Sequence, residues 1–129
     1  MDIVIDFDGT CVTHEFPDIG REIGATPVLR EMVDAGHRLI LFTIRSNDKK
    51  KNNHTLDDAV TWFREREIPL FGIQTHPHQY LWTLSPKAYG ELYIDDAALG
   101  CPLIIPKNYE RPYVDWIAVR KFLAENGII

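Results

Sequence analysis

The chain has 129 residues, of which 45% are hydrophobic and 26% are charged, and these proportions are typical of a single globular domain spanning residues 1–129. Its formal net charge of −5 argues against a dedicated nucleic-acid-binding protein, because such proteins usually carry an excess of basic residues. Cys11 and Cys101 form no disulfide framework, and no apolar run approaches the roughly 20 residues that cross a bilayer, so we predict a cytoplasmic protein with no membrane segment.

The first stretch, DIVIDFDGT from Asp2 to Thr10, predicts a buried strand that ends in two acids. Ile3–Ile5 is a β-branched run, which suits a strand of a parallel sheet that is buried on both faces. Asp6 and Asp8 are two positions apart, so their side chains point the same way. Burying two carboxylates is costly unless a cation compensates their charge, and Mg²⁺ prefers oxygen ligands. Taken alone, these residues fit an ordinary exposed turn equally well.

The rest of the chain alternates predicted helices with predicted strands. The predicted strands are Arg38–Thr43, Leu70–Ile73, Leu92–Ile94 and a candidate fifth, Leu103–Ile105. The predicted helices begin at Thr26, at Thr55 and at Tyr113, the last of them running to Glu125. Such alternation implies right-handed crossovers, so we predict an α/β fold: a three-layer, Rossmann-like domain with a mostly parallel central sheet.

Polar residues follow three of the predicted strands at the point where each strand ends. In open parallel sheets, ligands bind beyond the carboxyl ends of the strands. Five polar residues fall at that edge without any adjustment of the pattern: Asp6, Asp8, Thr43, Asp95 and Asp96. The sequence therefore predicts a functional site at this edge of the sheet.

Four motifs in order resemble those of the haloacid dehalogenase-like (HAD) superfamily of phosphohydrolases. They are Asp6-Phe7-Asp8-Gly9-Thr10, which matches D-x-D-G-T, then Thr43, Lys87 and Asp95-Asp96. The resemblance covers residues 1 to about 100. It implies a HAD-like, magnesium-dependent phosphatase that acts on a phosphorylated small molecule.

The resemblance also implies a role for each matching residue. Asp6 would be the nucleophile that forms an aspartyl phosphate, and Asp8 would be the general acid and then the base. Thr43 and Lys87 would bind the phosphoryl group. Mg²⁺ would be bound by the carboxylates of Asp6 and Asp95 and by the backbone carbonyl of Asp8. Asp96 would bind the ion through a water molecule or lie beside the ligands as a further acid. Thr10 would buttress the loop.

HAD proteins often insert a cap domain, and this chain has no room for one. Cys11–His37 is filled by a loop and one helix, and Arg45–Pro86 by a helix, a strand and loops. We therefore expect no separate cap domain, with an open site or one covered by loops or by another subunit of a homo-oligomer. An open site also permits a phosphatase that acts on a nucleic-acid end, which the acidic net charge disfavours.

Other interpretations of the sequence are weaker. A phospho-accepting receiver would place an acid after the third strand, but Gly72–Thr75 has none, and a non-catalytic binding module would not need four complete motifs. Lys49–Lys51 follow the second strand and fit either an exposed loop or a surface that attracts an anionic substrate. His76 and His78 are weak candidates for a metal site, because no further ligands accompany them.

Overall fold

The computed structural model describes residues 1–108 and 110–129, and a four-stranded parallel sheet lies at its centre. The elements in chain order are β1 (Asp2–Ile5), α1 (Ala25–Asp34), β2 (Arg38–Leu41), β3 (Asn47–Asp48), β4 (Asn53–His54), α2 (Thr55–Glu65), β5 (Gly72–Ile73), β6 (Leu92–Ile94), β7 (Leu103–Ile104), β8 (Tyr113–Val114) and α3 (Trp116–Glu125). The central sheet has the order β5-β2-β1-β6. All three of its pairings are parallel, so the predicted α/β fold is confirmed.

The order of the strands decides which segment covers each face of the sheet. From β1 through α1, β2 and α2 to β5, the chain moves in one direction across the sheet, so right-handed crossovers put both helices on the same face. The step from β5 to β6 returns past β1, and it must cross the opposite face. That crossover, residues 74–91, contains only a short 3-10 helix, Gln79–Leu81.

Two hydrophobic clusters match this division. On the helical face, side chains of β1 and β2 pack against all three α-helices through a cluster that includes Ile3, Ile5, Leu39, Leu41, Leu29, Phe63 and Leu123. On the other face, Val4 and Ile40 pack against Ala88 of the crossover. The third layer of the fold is therefore an irregular segment rather than a layer of helices.

Several predicted boundaries differ from the structure. The candidate fifth strand is a two-residue strand, β7, which pairs antiparallel with β8 outside the central sheet. The closing helix begins at Trp116, because the Asp115 side chain accepts hydrogen bonds from the backbone N–H groups of Ile117 and Ala118 and caps it. The segment after β2 was predicted as a loop, and it contains the β3–β4 hairpin. No described helix has the length and apolarity needed to cross a bilayer.

Asp2 ties three segments together at the amino end of β1, the end opposite the candidate site. Its side chain is almost fully buried, and it accepts hydrogen bonds of 2.7 and 3.0 Å from the guanidinium of Arg38 in β2. Its Oδ2 also lies 2.9 Å from Nε2 of His76 in the crossover. Burial raises the pKa of Asp2, but the bonds to Arg38 and His76 outweigh it and lower the pKa below the ordinary value.

We expect Asp2→Asn to lower the free energy of unfolding at pH 7 by about 1–3 kcal/mol, because it replaces charged hydrogen bonds by neutral ones. A carboxyl group with a lowered pKa in the folded state adds stability above its unfolded pKa of about 3.8, and that stability is lost as the pH falls through the folded pKa. The variant should therefore lose less stability than the wild type on acidification below about pH 4. Urea unfolding followed by circular dichroism measures both effects, with the exposed Asp34→Asn as control. Parallel pH profiles for wild type and Asp2→Asn would contradict this role.

Candidate active site

The carboxyl ends of β1 and β6 bring three acids together. The backbone N–H of Asp6 donates to the carbonyl of Ile94 at 3.1 Å, so the two strands end side by side. One carboxylate oxygen from each of Asp6, Asp95 and Asp96 lies within 4.8 Å of the other two. This is the grouping expected from strand-end acids on neighbouring parallel strands.

Thr10 connects the two acidic segments. Its buried hydroxyl donates a 2.8 Å hydrogen bond to Oδ2 of Asp6 and accepts a 3.1 Å bond from the backbone N–H of Asp96. Its carbonyl accepts a 2.7 Å bond from the indole N–H of Trp116 at the start of α3. Thr10 thus links the loop after β1 to the Asp95-Asp96 segment and to the start of α3.

Gly9 allows the loop to turn at this point. Its φ of +79° lies in the left-handed region that favours glycine, and a Cβ atom there would collide with the side chains of His14 and Asp96. The tight approach of His14 brings its Nε2 to 3.0 Å from Oδ2 of Asp96, and both side chains are largely buried. His14 belongs to a stretch with no periodic pattern, so this contact could not be predicted from local sequence.

Asp6 occupies an unfavourable environment for a carboxylate. Burial raises the pKa of Asp6 to about 8, repulsion from Asp95 adds to the rise, and the hydrogen bond from Thr10 opposes it. A cation held between the carboxylates of Asp6, Asp95 and Asp96 would remove this penalty. The donor set is made entirely of oxygen atoms, which suits Mg²⁺ better than softer metals.

Asp8 lies in the opposite environment, because a buried arginine neutralises it. The guanidinium of Arg45 donates to Asp8 through Nε at 2.8 Å and through Nη2 at 2.7 Å, and Arg45 is only 1% exposed. Nothing in the sequence distinguished Arg45 from the other polar residues that follow β2. The contact joins residues 37 positions apart, so no local pattern reveals it.

Thr43 lies beyond the end of β2, two positions before Arg45. Its hydroxyl oxygen accepts a 3.1 Å hydrogen bond from the backbone N–H of Arg45. The side-chain amide of Gln74 fixes the Thr43 backbone, accepting from its N–H at 2.8 Å and donating to its carbonyl at 2.7 Å. Thr43 therefore belongs to the same edge of the sheet as the acids.

Lys87 stands apart from the other residues selected from the sequence. It is exposed on the irregular crossover, and its ammonium nitrogen lies 5.7 Å from the centre of the Tyr93 ring. Among the described residues it forms no ion pair with Asp6 or with any other acid. The structure thus groups the carboxylates of Asp6, Asp95 and Asp96. Asp8 and Thr43 follow β1 and β2 at the same edge of the sheet, where both contact Arg45, and Lys87 has no acidic partner among the described residues.

The remaining candidates are not part of the three-aspartate group. Lys49–Lys51 form an exposed 3-10 turn between β3 and β4. His76 is paired with Asp2 at the opposite end of β1, and the ring of His78 packs edge-on against the ring of His76. In the described part of the chain, the group of side chains that could hold a metal ion consists of the three aspartates and contains neither histidine.

Comparison with known proteins finds a similar solved structure. No protein-family model matches the chain, and no curated protein matches it. A structure described as a conserved protein from Bacteroides thetaiotaomicron is 32% identical in sequence. The match covers 98% of this chain and 91% of that chain, with a TM-score of 0.76.

We expect Mg²⁺ to stabilise the protein, because the ion would bind the folded arrangement of carboxylates and not the unfolded chain. At 100 times the dissociation constant, the gain is about 2.7 kcal/mol, which raises the melting temperature by several degrees. Asp95→Asn should raise the melting temperature without metal, since it relieves repulsion with Asp6, and should largely abolish the response to Mg²⁺. Differential scanning calorimetry with chelator and with Mg²⁺ tests this, with Asp34→Asn as the charge-matched control. A wild-type melting temperature unaffected by Mg²⁺ would contradict the metal site.

Proposed function

We propose that this chain, which belongs to the same family as the conserved protein from Bacteroides thetaiotaomicron, is a magnesium-dependent phosphohydrolase that forms an aspartyl phosphate. One observation carries the proposal: the carboxylates of Asp6, Asp95 and Asp96 converge at the carboxyl edge of a parallel sheet. Ligand sites of such sheets lie at this edge. The four motifs that resemble those of HAD phosphohydrolases support the same conclusion.

In this proposal, Asp6 attacks the phosphorus atom of the substrate. The Thr10 hydroxyl donates to Oδ2 of Asp6, which fixes the orientation of this carboxylate. Asp6, Asp95, Asp96 and the backbone carbonyl of Asp8 would hold Mg²⁺. When bound, the ion would offset the repulsion between a carboxylate nucleophile and the phosphate anion.

The other residues of the site would bind the phosphoryl group and transfer protons. The Thr43 hydroxyl would donate to a phosphoryl oxygen, and Asp8 is the acid next along the motif that could exchange a proton with the leaving oxygen or with water. Lys87 has an exposed ammonium with no carboxylate partner in the described residues, which leaves it available to an anionic substrate. Its proposed role depends on the resemblance to the HAD motifs.

A phosphorylated small molecule is the substrate class that we propose. The net charge of −5 disfavours a polyanionic partner. A nucleic-acid end is the second candidate, and the exposed lysines of the β3–β4 hairpin, Lys49–Lys51, favour it. The two free cysteines fit a protein of the reducing cytoplasm, where we propose that the chain acts.

The two acids of the first motif should give different results when each is changed to asparagine. Asp6→Asn removes the nucleophile, so no covalent phosphate should form. Asp8→Asn keeps the nucleophile but removes the base that assists water, which is typically worth ~10²–10⁴-fold in rate. With Mg²⁺ and 4-nitrophenyl phosphate, the Asp8 variant should therefore accumulate a species about 80 Da heavier. Intact-mass spectrometry after an acid quench detects it.

Circular dichroism is the control for this experiment, because Asp8→Asn leaves the buried guanidinium of Arg45 without a charged partner. The amount of covalent phosphate on each variant is then divided by its folded fraction. Equal labelling of the Asp6 and Asp8 variants would show that Asp6 is not the nucleophile. Equal turnover in chelator and in Mg²⁺ would refute the metal requirement.

Lys87→Ala should lower kcat with little change in the melting temperature. A cation that acts on the charge developing in the transition state matters more to turnover than to packing, and Lys87 is exposed. Lys107→Ala, another exposed lysine, is the matched control. Initial rates with 4-nitrophenyl phosphate compare the two variants. Equal kcat values would show that Lys87 does not contribute to the site.

A further inference from the structure

His14 contacts the candidate metal site without belonging to it. Its Nε2 lies 3.0 Å from Oδ2 of Asp96, whereas the group of side chains that could hold a metal ion consists of Asp6, Asp95 and Asp96. We propose that His14 is a positioning residue, which donates a hydrogen bond to Asp96 and holds its carboxylate in place for Mg²⁺. This inference rests on the proposed magnesium-dependent function and adds a residue that lies outside the four motifs.

The contact between His14 and Asp96 is a hydrogen bond that is largely removed from solvent. Each of the two side chains is only 13% exposed. A carboxylate that binds a metal ion is ionised and has acceptors only, so the hydrogen of this bond is carried by Nε2 of the histidine. Hydrogen bonds to a charged group are roughly twice as strong as neutral ones, and a low local dielectric strengthens them further. His14 therefore constrains the direction of the Asp96 carboxylate.

Thr10 does not supply this constraint in place of His14. Its hydroxyl has a single hydrogen, and its 2.8 Å contact with Asp6 is shorter than its 3.3 Å contact with Oδ1 of Asp96. The hydrogen is therefore given mainly to Asp6, while the Thr10 oxygen accepts from the backbone N–H of Asp96. Nε2 of His14 is thus the main donor to the Asp96 side chain among the described residues.

The backbone beside His14 is fixed independently of Asp96. Thr13 is almost fully buried, its N–H donates to the Arg21 carbonyl at 3.1 Å, and its hydroxyl oxygen accepts from the Arg21 N–H at 2.9 Å. Gly9 leaves the space for the ring, because a Cβ atom at this position would collide with Nε2 of His14 and with Oδ2 of Asp96. The fold thus places the histidine against this acid through contacts that do not involve an ion.

The need for such a donor comes from the other two acids. The carboxylates of Asp6, Asp95 and Asp96 repel one another when no cation lies between them, so an unrestrained side chain would turn away from the group. It would then have to return and lose rotational freedom before it could bind an ion, which lowers the affinity. Hydrogen bonds that orient metal ligands typically contribute about 10–100-fold to metal affinity.

The test is the dissociation constant for Mg²⁺, measured by isothermal titration calorimetry on protein treated with chelator and dialysed. His14→Ala removes the donor and should raise the constant about 10–100-fold. His14→Gln carries an amide N–H at a reach similar to that of Nε2 and should restore most of the affinity. His54→Ala is the matched control and should bind like the wild type, since His54 also lies beside a carboxylate, that of Asp58, but on the exposed surface.

Melting temperatures in chelator separate positioning from a purely structural role. A histidine that only stabilised the loop would lower the melting temperature of His14→Ala and leave the dissociation constant of the folded molecules unchanged. The wild-type protein offers a second measurement that needs no variant to fold. Proton–nitrogen correlation spectra of the histidine rings, recorded with Mg²⁺ bound, should show a hydrogen on Nε2 of His14.

The outcomes separate the inference from the function on which it rests. An affinity that is weakened in His14→Ala, restored in His14→Gln and unchanged in His54→Ala supports the inference. Wild-type affinity in His14→Ala, or an Nε2 of His14 without a hydrogen in the wild-type protein, overturns the inference and leaves the magnesium site intact. A wild-type protein that does not bind Mg²⁺ overturns the proposed magnesium-dependent function and the inference together.

Discussion

The ion pair between Arg45 and Asp8 organises the segments around the candidate site. It joins the loop after β1 to the segment after β2, and its other hydrogen bonds hold the 17–18 loop and the first residue of α2. These segments are remote in sequence, and a single buried cation gives each of them a partner. Because an unpaired buried charge is so costly, the pair forces all of them into one arrangement.

The two acids of the first motif show how the fold distributes charge. Asp8 has a cationic partner in the protein, whereas Asp6 has none among the described residues: it accepts a hydrogen bond from the Thr10 hydroxyl and lies close to two further carboxylates. Burial and these neighbours raise the pKa of Asp6 to about 8. The fold thus leaves one unfavourable charge uncompensated, at the place where a divalent cation and a phosphate could be bound. That contrast is the main structural argument for a catalytic role rather than a scaffolding role.

Short-range patterns were sufficient to predict the sheet and the acidic edge. β1, β2 and β6 coincide with runs of apolar residues. The polar residues that follow each run therefore lie at the carboxyl end of a strand. His14 and Arg45 could not be predicted in this way, because they contact acids 82 and 37 positions away. The start of α3 was predicted three residues too early, at Tyr113, because Tyr113 pairs in β8 and Asp115 caps a helix that begins at Trp116.

The irregular crossover is anchored by one side chain, and this anchoring explains the position of Lys87. Gln79 holds this segment through its side chain, whose amide donates to the carbonyls of Ser85 and Lys87 at 3.2 and 3.1 Å and whose oxygen accepts from the N–H groups of His76 and Tyr89. The backbone of Lys87 is therefore fixed, and only its exposed side chain is free to change direction. Any contribution of Lys87 to the site must come from rotation of that side chain and not from movement of the crossover.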